Sequence, residues 1–184
     1  MHAASAPNDA VSPWVRRFTP LVPRSARVLD VACGGGRHVR WFADRGCHVT
    51  AVDRDAEALA PLRTIARVVV ADLEAAPWPL PGERFDAVVV TNYLWRALLP
   101  TIVASVDDGG VLLYETFAAG QQTIGRPANP DFLLRPGELL AAVAGLRVVA
   151  YEDGLADGGA PRFVQRIAAV REGPPQPLPR RYPL

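Results

Sequence analysis

Three carboxylates and one run of glycines are placed where they could do chemistry. Asp30 lies near the end of a short apolar stretch, Arg27 to Val31, and leads at D-x-x-x-G-x-G spacing into Gly34, Gly35 and Gly36. Asp53 closes a second apolar stretch ending A-V-D, and Asp72 follows a third in the run A-D-L. Glycines at such a turn take dihedrals that a side chain forbids and let the backbone approach a ligand closely. A helix opening after them points its free N–H groups at that ligand. A carboxylate ending the next strand is placed to accept two hydrogen bonds from a ribose diol. Together these residues read as a nucleoside-binding β–α–β unit.

Two ligand classes use such a unit, and the turn separates them. A dinucleotide fingerprint calls for a third small residue that lets helix and strand pack closely. Here Val39 stands near that place, branched and large. Asp30 would repel a pyrophosphate, whereas it suits an ammonium or a sulfonium.

The elements that must hold these residues follow in chain order. Val11, Trp14, Val15 and Phe18 have helical spacing. Ser12 is its expected cap, Pro13 opens the first turn, and Trp14 is a packing residue or a wall of the site. After Asp53, Asp55 is an expected N-cap, with Ala58, Leu59, Leu62 and Ile65 as the buried face. Arg67 to Ala71 is a β-branched strand, residues 75 to 84 form a proline-rich loop, and Phe85 to Thr91 is an apolar strand buried on both faces. Asn92 and Tyr93 follow at its carboxyl end. Residues 94 to 107 predict a helix kinked at Pro100, then Gly109-Gly110 turns into a strand from Val111 to Phe117. Residues 118 to 134 form a long connection expected to fold as a lid anchored by Ile124, Phe132, Leu133 and Leu134. A helix from Leu139 to Ala144 and a closing hairpin, Leu146 to Tyr151 with Arg162 to Val170, complete an alternating α/β chain. Residues 1–8 are expected to fray, and the tail over 173–184 is proline-rich. The whole of 1–184 reads as a single domain.

Composition narrows the function further. The 184 residues carry a net charge of +1, with pI near 7.9, so no global field draws the protein to nucleic acid or membrane. All 20 basic residues are arginine, scattered along the chain. No apolar run approaches the roughly 18 to 20 residues that span a bilayer, and no export signal is visible. Cys33 and Cys47 flank the expected helix, about 15 Å apart at its rise per residue, beyond disulfide reach. They read as buried thiols in a reducing cytoplasm, and no His/Cys cluster has metal-ligand spacing.

The runs D-V-A-C-G-G-G, A-V-D, A-D-L, F-D-A-V-V-V-T-N and G-G-V-L-L-Y-E, in this order and spacing, resemble class I S-adenosylmethionine (SAM) dependent methyltransferases. The departure is Ala32, where that family carries its first motif glycine. The C-G-x-G-R-H run also resembles the small tellurite-resistance-type branch, single-domain enzymes acting on small or inorganic acceptors. The resemblance implies a doubly wound, seven-stranded, mostly parallel Rossmann-like sheet with an antiparallel last strand and helices on both faces. It implies SAM as cofactor, with Asp30, Ala32, Gly34 and Gly36 near its methionine end and Asp53 on the ribose. Arg54 would lie beside the adenine, Asp72 and Leu73 on its edge, and Thr91 and Asn92 would close the methionine end. His38 is either a ligand contact or a packing histidine. On the acceptor side, Tyr93, Glu115, Phe117 and Arg126 are the substrate-binding candidates. Tyr93 and Glu115 are the weak candidates for catalysis, and Arg135 is a second loop arginine that could grip an anion. The expected partner is a small-molecule acceptor, with no nucleic acid, no membrane, no metal, and a monomeric or homodimeric state. A NAD(P)-dependent oxidoreductase and a non-catalytic SAM-binding protein are the competing readings.

Overall fold

The computed structural model describes residues 10–156, 159–174 and 181–182; the expected frayed end over 1–8 and most of the proline-rich tail lie outside the described residues. Seven strands form one sheet: β1 (Arg27–Val31), β2 (His48–Asp53), β3 (Arg67–Val70), β4 (Phe85–Thr91), β5 (Val106–Phe117), β6 (Arg147–Ala156) and β7 (Arg162–Val170). Their order is β3-β2-β1-β4-β5-β7-β6. The pairings among β1 to β5 are parallel, and β7 runs antiparallel to both of its neighbours. The chain thus winds outward from β1 to β3, crosses back to β4 and winds outward again. The switch falls between β1 and β4, where the carboxyl ends of the strands part and leave a crevice.

The apolar runs become strands because both of their faces are covered. Alternate side chains of a strand point to opposite faces. Val28, Ala87 and Val89 therefore pack on one side with Trp14, Val15, Phe18, Val39, Phe42, Leu59 and Leu62. These come from α1 (Pro13–Phe18), α2 (Arg37–Ala43), α3 (Ala56–Leu59) and the 3₁₀ turn after it. Leu29, Val31, Val88 and Val90 face the other way, onto Leu99, Ile102, Leu139 and Val143 of α4 (Leu99–Ala104) and α5 (Glu138–Ala142).

Three expectations need correction, and for Trp14 the packing reading holds. The helix over 94–107 is a 3₁₀ turn at Arg96–Leu98 followed by α4, and Pro100 sits in the first turn of α4 instead of kinking a longer helix. The Gly109-Gly110 pair lies within β5, in an irregularity where the register against β4 slips between Phe85 and Ala87. A Cβ on Gly110 would come within 3.0 Å of three backbone carbonyl oxygens, so only glycine fits there. Ile65 is 42% exposed, because α3 stops at Leu59 and the Pro61 turn carries the chain off the helical stripe. Trp14 is a core residue whose Nε1–H donates to the Ile167 carbonyl at 3.1 Å.

The 118–134 connection is tied down at both ends. Ala118 bridges Leu134, and the buried Gln121 accepts from the Phe163 N–H and donates to the Arg126 carbonyl. Arg96 pairs with Glu138 and donates to the carbonyls of Asp131 and Leu133. Leu133 and Leu134 are buried anchors, whereas Ile124 and Phe132 are exposed.

Candidate active site

The crevice is built from loops that follow β1, β2, β3 and β4. Ala32 takes φ +53°, Gly34 +52° and Gly36 +76°, so the turn keeps its left-handed geometry even where alanine replaces glycine. The two outer glycines serve different ends. Nothing lies within 4 Å of where a Gly34 Cβ would be, while one on Gly36 would collide with the Leu62 side chain. Gly34 leaves open space for a ligand, and Gly36 lets the start of α2 settle on the 3₁₀ turn after α3.

Asp53 organises the turn from the next strand. Its carboxylate accepts the Gly34 N–H at 2.8 Å and the Asp55 N–H at 3.0 Å. A carboxylate has about four lone-pair sites, so acceptor capacity remains for ribose hydroxyls. Asp72 divides its duties likewise: Oδ1 caps the turn by accepting from Glu74 and Ala75. Ala32, Asp53, Arg54, Ala71, Asp72, Leu73, Glu74 and Tyr93 line one cavity of about 210 Å³. Six of the sequence candidates thus converge there. Ala71 and Glu74 join them; they were not anticipated, and their neighbours in A-D-L-E were the only sequence signal.

Asp30 is 1% exposed, and its Oδ2 has no hydrogen-bond partner among the described residues. Burial raises its carboxyl from 3.8 to about 8; Arg37 opposes the rise, the Asp53 charge adds to it, and the Val39 N–H opposes it. Without a cation beside it, Asp30 is mostly protonated at neutral pH. Tyr93 has a buried hydroxyl with no partner among the described residues, pushed up by burial and by the nearby acids Glu74 and Asp72. Thr91 Oγ1 accepts from Arg37 at 3.4 Å, and Asn92, at φ +55°, is exposed with its N–H on the Glu115 carbonyl.

Other candidates are placed elsewhere. His38 is 1% exposed and its Nε2 accepts the Ser12 N–H; burial and Arg37 lower it from 6.5 to about 3. It is a neutral packing histidine, and the ligand-contact reading is corrected. Arg126 is exposed and lines none of the cavities described here, because its connection folds against β7 by way of Gln121. Arg135 is likewise exposed, its N–H on Glu138 and its carbonyl on Gln165. Phe117 is half-buried at the end of β5, outside the crevice lining.

Glu115 is 1% exposed within a charged cluster. Its Oε1 accepts from Ser12 Oγ at 2.9 Å. Its Oε2 lies 2.7 Å from Arg166 Nε, an ion-pair distance off the hydrogen-bond direction, and Arg162 is 3.8 Å away. Arg37, Arg162 and Arg166 were missed because their meeting depends on α2 and β7 arriving at one place, which no local pattern announces.

The residues present fit SAM on two observations: a buried carboxyl with one oxygen left over among the described residues, and open space over Gly34 where a side chain would intrude. Comparison with known proteins agrees. Residues 28–110 match the methyltransferase domain family. A malonyl-[acyl-carrier protein] O-methyltransferase from Enterobacter lignolyticus is 38% identical over 110 residues, covering 52% of this chain and 41% of that protein. The chain therefore spans about two fifths of the length of such curated relatives. Among solved structures, TehB from Haemophilus influenzae superposes with a TM-score of 0.70 at 20% identity, over 88% of this chain and 62% of that one. A SAM-dependent methyltransferase from Mesorhizobium loti superposes at 0.66 and 18% identity, over 87% and 99%. The matched stretch runs from β1 into β5, and the sheet that continues beyond it has the fold of these solved methyltransferases.

Proposed function

We propose that this domain binds SAM in the strand-end crevice and transfers its methyl group to a small-molecule acceptor. The observation that carries the reading is the cavity at the strand ends, lined by Asp53, Asp72 and Glu74 against the single cation Arg54 among the described residues, with Asp30 buried in β1 before the glycine turn. Such a lining opposes a diphosphate, which counts against the NAD(P) reading, and favours a cationic nucleoside. When bound, SAM supplies a methyl group on a sulfonium already activated for in-line displacement.

The chain's own part is positioning. Asp53 receives the ribose hydroxyls while holding the turn, Asp72 Oδ2 and Leu73 meet the adenine edge, and Arg54 lies beside the ring. Asp30 sits under the methionine end, where an ammonium would draw its proton away. Thr91 and Asn92 close that end at β4. Tyr93 lines the same cavity and brings a hydroxyl with no partner among the described residues.

The test is calorimetry with SAM. The protein binds SAM in the micromolar range, and Asp53→Ala weakens that by at least about tenfold, or 1.4 kcal/mol. Asp53→Asn, which keeps the shape and an acceptor oxygen, separates loss of the ribose contact from loss of the turn. A melting temperature raised by NAD and untouched by SAM would transfer the assignment to the oxidoreductase reading. Absence of methylated product with every acceptor would favour a non-catalytic binding protein.

A further inference from the structure

The Tyr93 hydroxyl is closed off from solvent and has no hydrogen-bond partner among the described residues. Buried tyrosine hydroxyls usually find one, and an orphaned polar group in a core calls for an explanation. The backbone around it is fixed from β5. The Asn92 N–H donates to the Glu115 carbonyl, and the Tyr93 carbonyl accepts from the buried Tyr114 hydroxyl at 2.9 Å. The ring packs against the core cluster that holds Val31, Val52 and Leu73. The charges that Tyr93 feels are those of Glu74, Asp72, Arg54 and Asp53. All four follow or end β2 and β3, on the side where the adenosine half is expected, and none comes from β5 or the β6–β7 hairpin. Burial, Glu74 and Asp72 push its ionisation upward, so at neutral pH the phenol donates a hydrogen bond and does not act as a base.

The strand-end cavity that Tyr93 lines has about 210 Å³, less than the roughly 300–1,000 Å³ of a site for a whole organic ligand. That space suits a flat ring. Its charged lining is three carboxylates, which only accept, and the Arg54 guanidinium. Tyr93 is the one uncharged side-chain donor in that lining among the described residues. A purine carries an amino group that needs an acceptor and ring nitrogens that need a donor. Asp72 meets the first need in the reading above. Resting on that SAM reading, we propose that Tyr93 is a cofactor-binding residue whose hydroxyl donates to a ring nitrogen of the adenine, in place of an acceptor-side or catalytic role. Reaching the base asks for a small tilt of the ring, and an orphaned hydroxyl has no bond to break in making it.

Calorimetry with S-adenosylhomocysteine and its 1-deaza, 3-deaza and 7-deaza analogues, on the wild type and Tyr93→Phe, tests this. Tyr93→Phe binds S-adenosylhomocysteine about tenfold more weakly. The melting temperature of the unliganded variant stays level or rises, because the group removed had no partner. For the one analogue that lacks the bonded nitrogen, the wild type binds more weakly than it binds the parent, and the two proteins bind alike. Unchanged affinity in Tyr93→Phe, a penalty undiminished for all three analogues, or a lower melting temperature of the unliganded variant overturns the proposal and leaves the SAM reading standing. A wild type that binds every analogue as tightly as the parent does the same. Failure of S-adenosylhomocysteine to bind the wild type overturns the functional reading beneath it.

Discussion

Two buried titratable side chains flank the turn and pull stability in opposite directions with pH. Asp30 holds its proton up to about pH 8 in the folded protein, against 3.8 for an ordinary aspartate. The folded state therefore binds the extra proton in that interval, and stability falls as pH rises through it. His38 is lowered from 6.5 to about 3; unfolding takes up its proton there, and stability rises with pH over that interval. Between 6.5 and 8 the Asp30 contribution acts alone of the two, with a slope of up to about 1.4 kcal/mol per pH unit. Urea midpoints measured across this range decline in the wild type and stay flat in Asp30→Asn. If SAM binds beside Asp30 as proposed, it expels the same proton, and calorimetry in buffers of different ionisation enthalpy shows proton release below pH 8, absent in Asp30→Asn. Asp30, Asp53 and Asp72 were legible in the sequence because each sits at the end of an apolar run. Arg37 and Arg162 were not, since their neighbours come from elements more than a hundred residues apart.

Elements meet the site through two small fixtures. Gly36 combines a left-handed φ of +76° with a surface that Leu62 fills. Gly36→Ala therefore costs more than the roughly 1–2 kcal/mol of a left-handed alanine. Relative to the Leu62→Ala single variant, adding Gly36→Ala costs less than it does in the wild type, because the clash is gone and only the dihedral cost remains; denaturant titration of the four proteins measures that coupling. Arg96 is the other fixture, with four hydrogen bonds joining the 118–134 connection to α5. Arg96→Ala costs about 2 kcal/mol, the scale of hydrogen bonds to a charged group, and raises amide exchange across residues 129–135. Strand positions were legible because a sheet buried on both faces writes unbroken apolar runs. The helix boundaries near Pro61 and Pro100 were not, because periodicity alone does not distinguish a proline that starts a helix from one that bends it. The length of β5 was hidden as well, its irregularity at Asp107–Gly110 being a matter of packing against β4.

At the scale of the whole molecule, the sheet order separates two spaces. The cavity lined by Ala32, Asp53, Asp72 and Tyr93 lies at the ends of β1 to β4, and a cleft lined by Arg37, Glu115, Arg162 and Arg166 lies beside the β7–β6 hairpin. Arg37 stands between them, in electrostatic reach of Asp30 on one side and Glu115 on the other. That division was legible in outline from the alternating β/α pattern and its closing hairpin, while the cleft was not, being a space between α1 and strands that follow it by more than a hundred residues. Ser12 caps α1, donates its N–H to His38 and its hydroxyl to Glu115, a partner 103 positions away, and Trp14 reaches Ile167 across 153. Contacts so remote along the chain form only after their distant halves exist. The amino-terminal helix is thus translated early and seated late, its docking left until the closing hairpin has emerged from the ribosome. In refolding kinetics Val15→Ala accelerates unfolding and leaves the folding rate nearly untouched, a φ-value near zero, whereas Val89→Ala in the central strand slows folding itself.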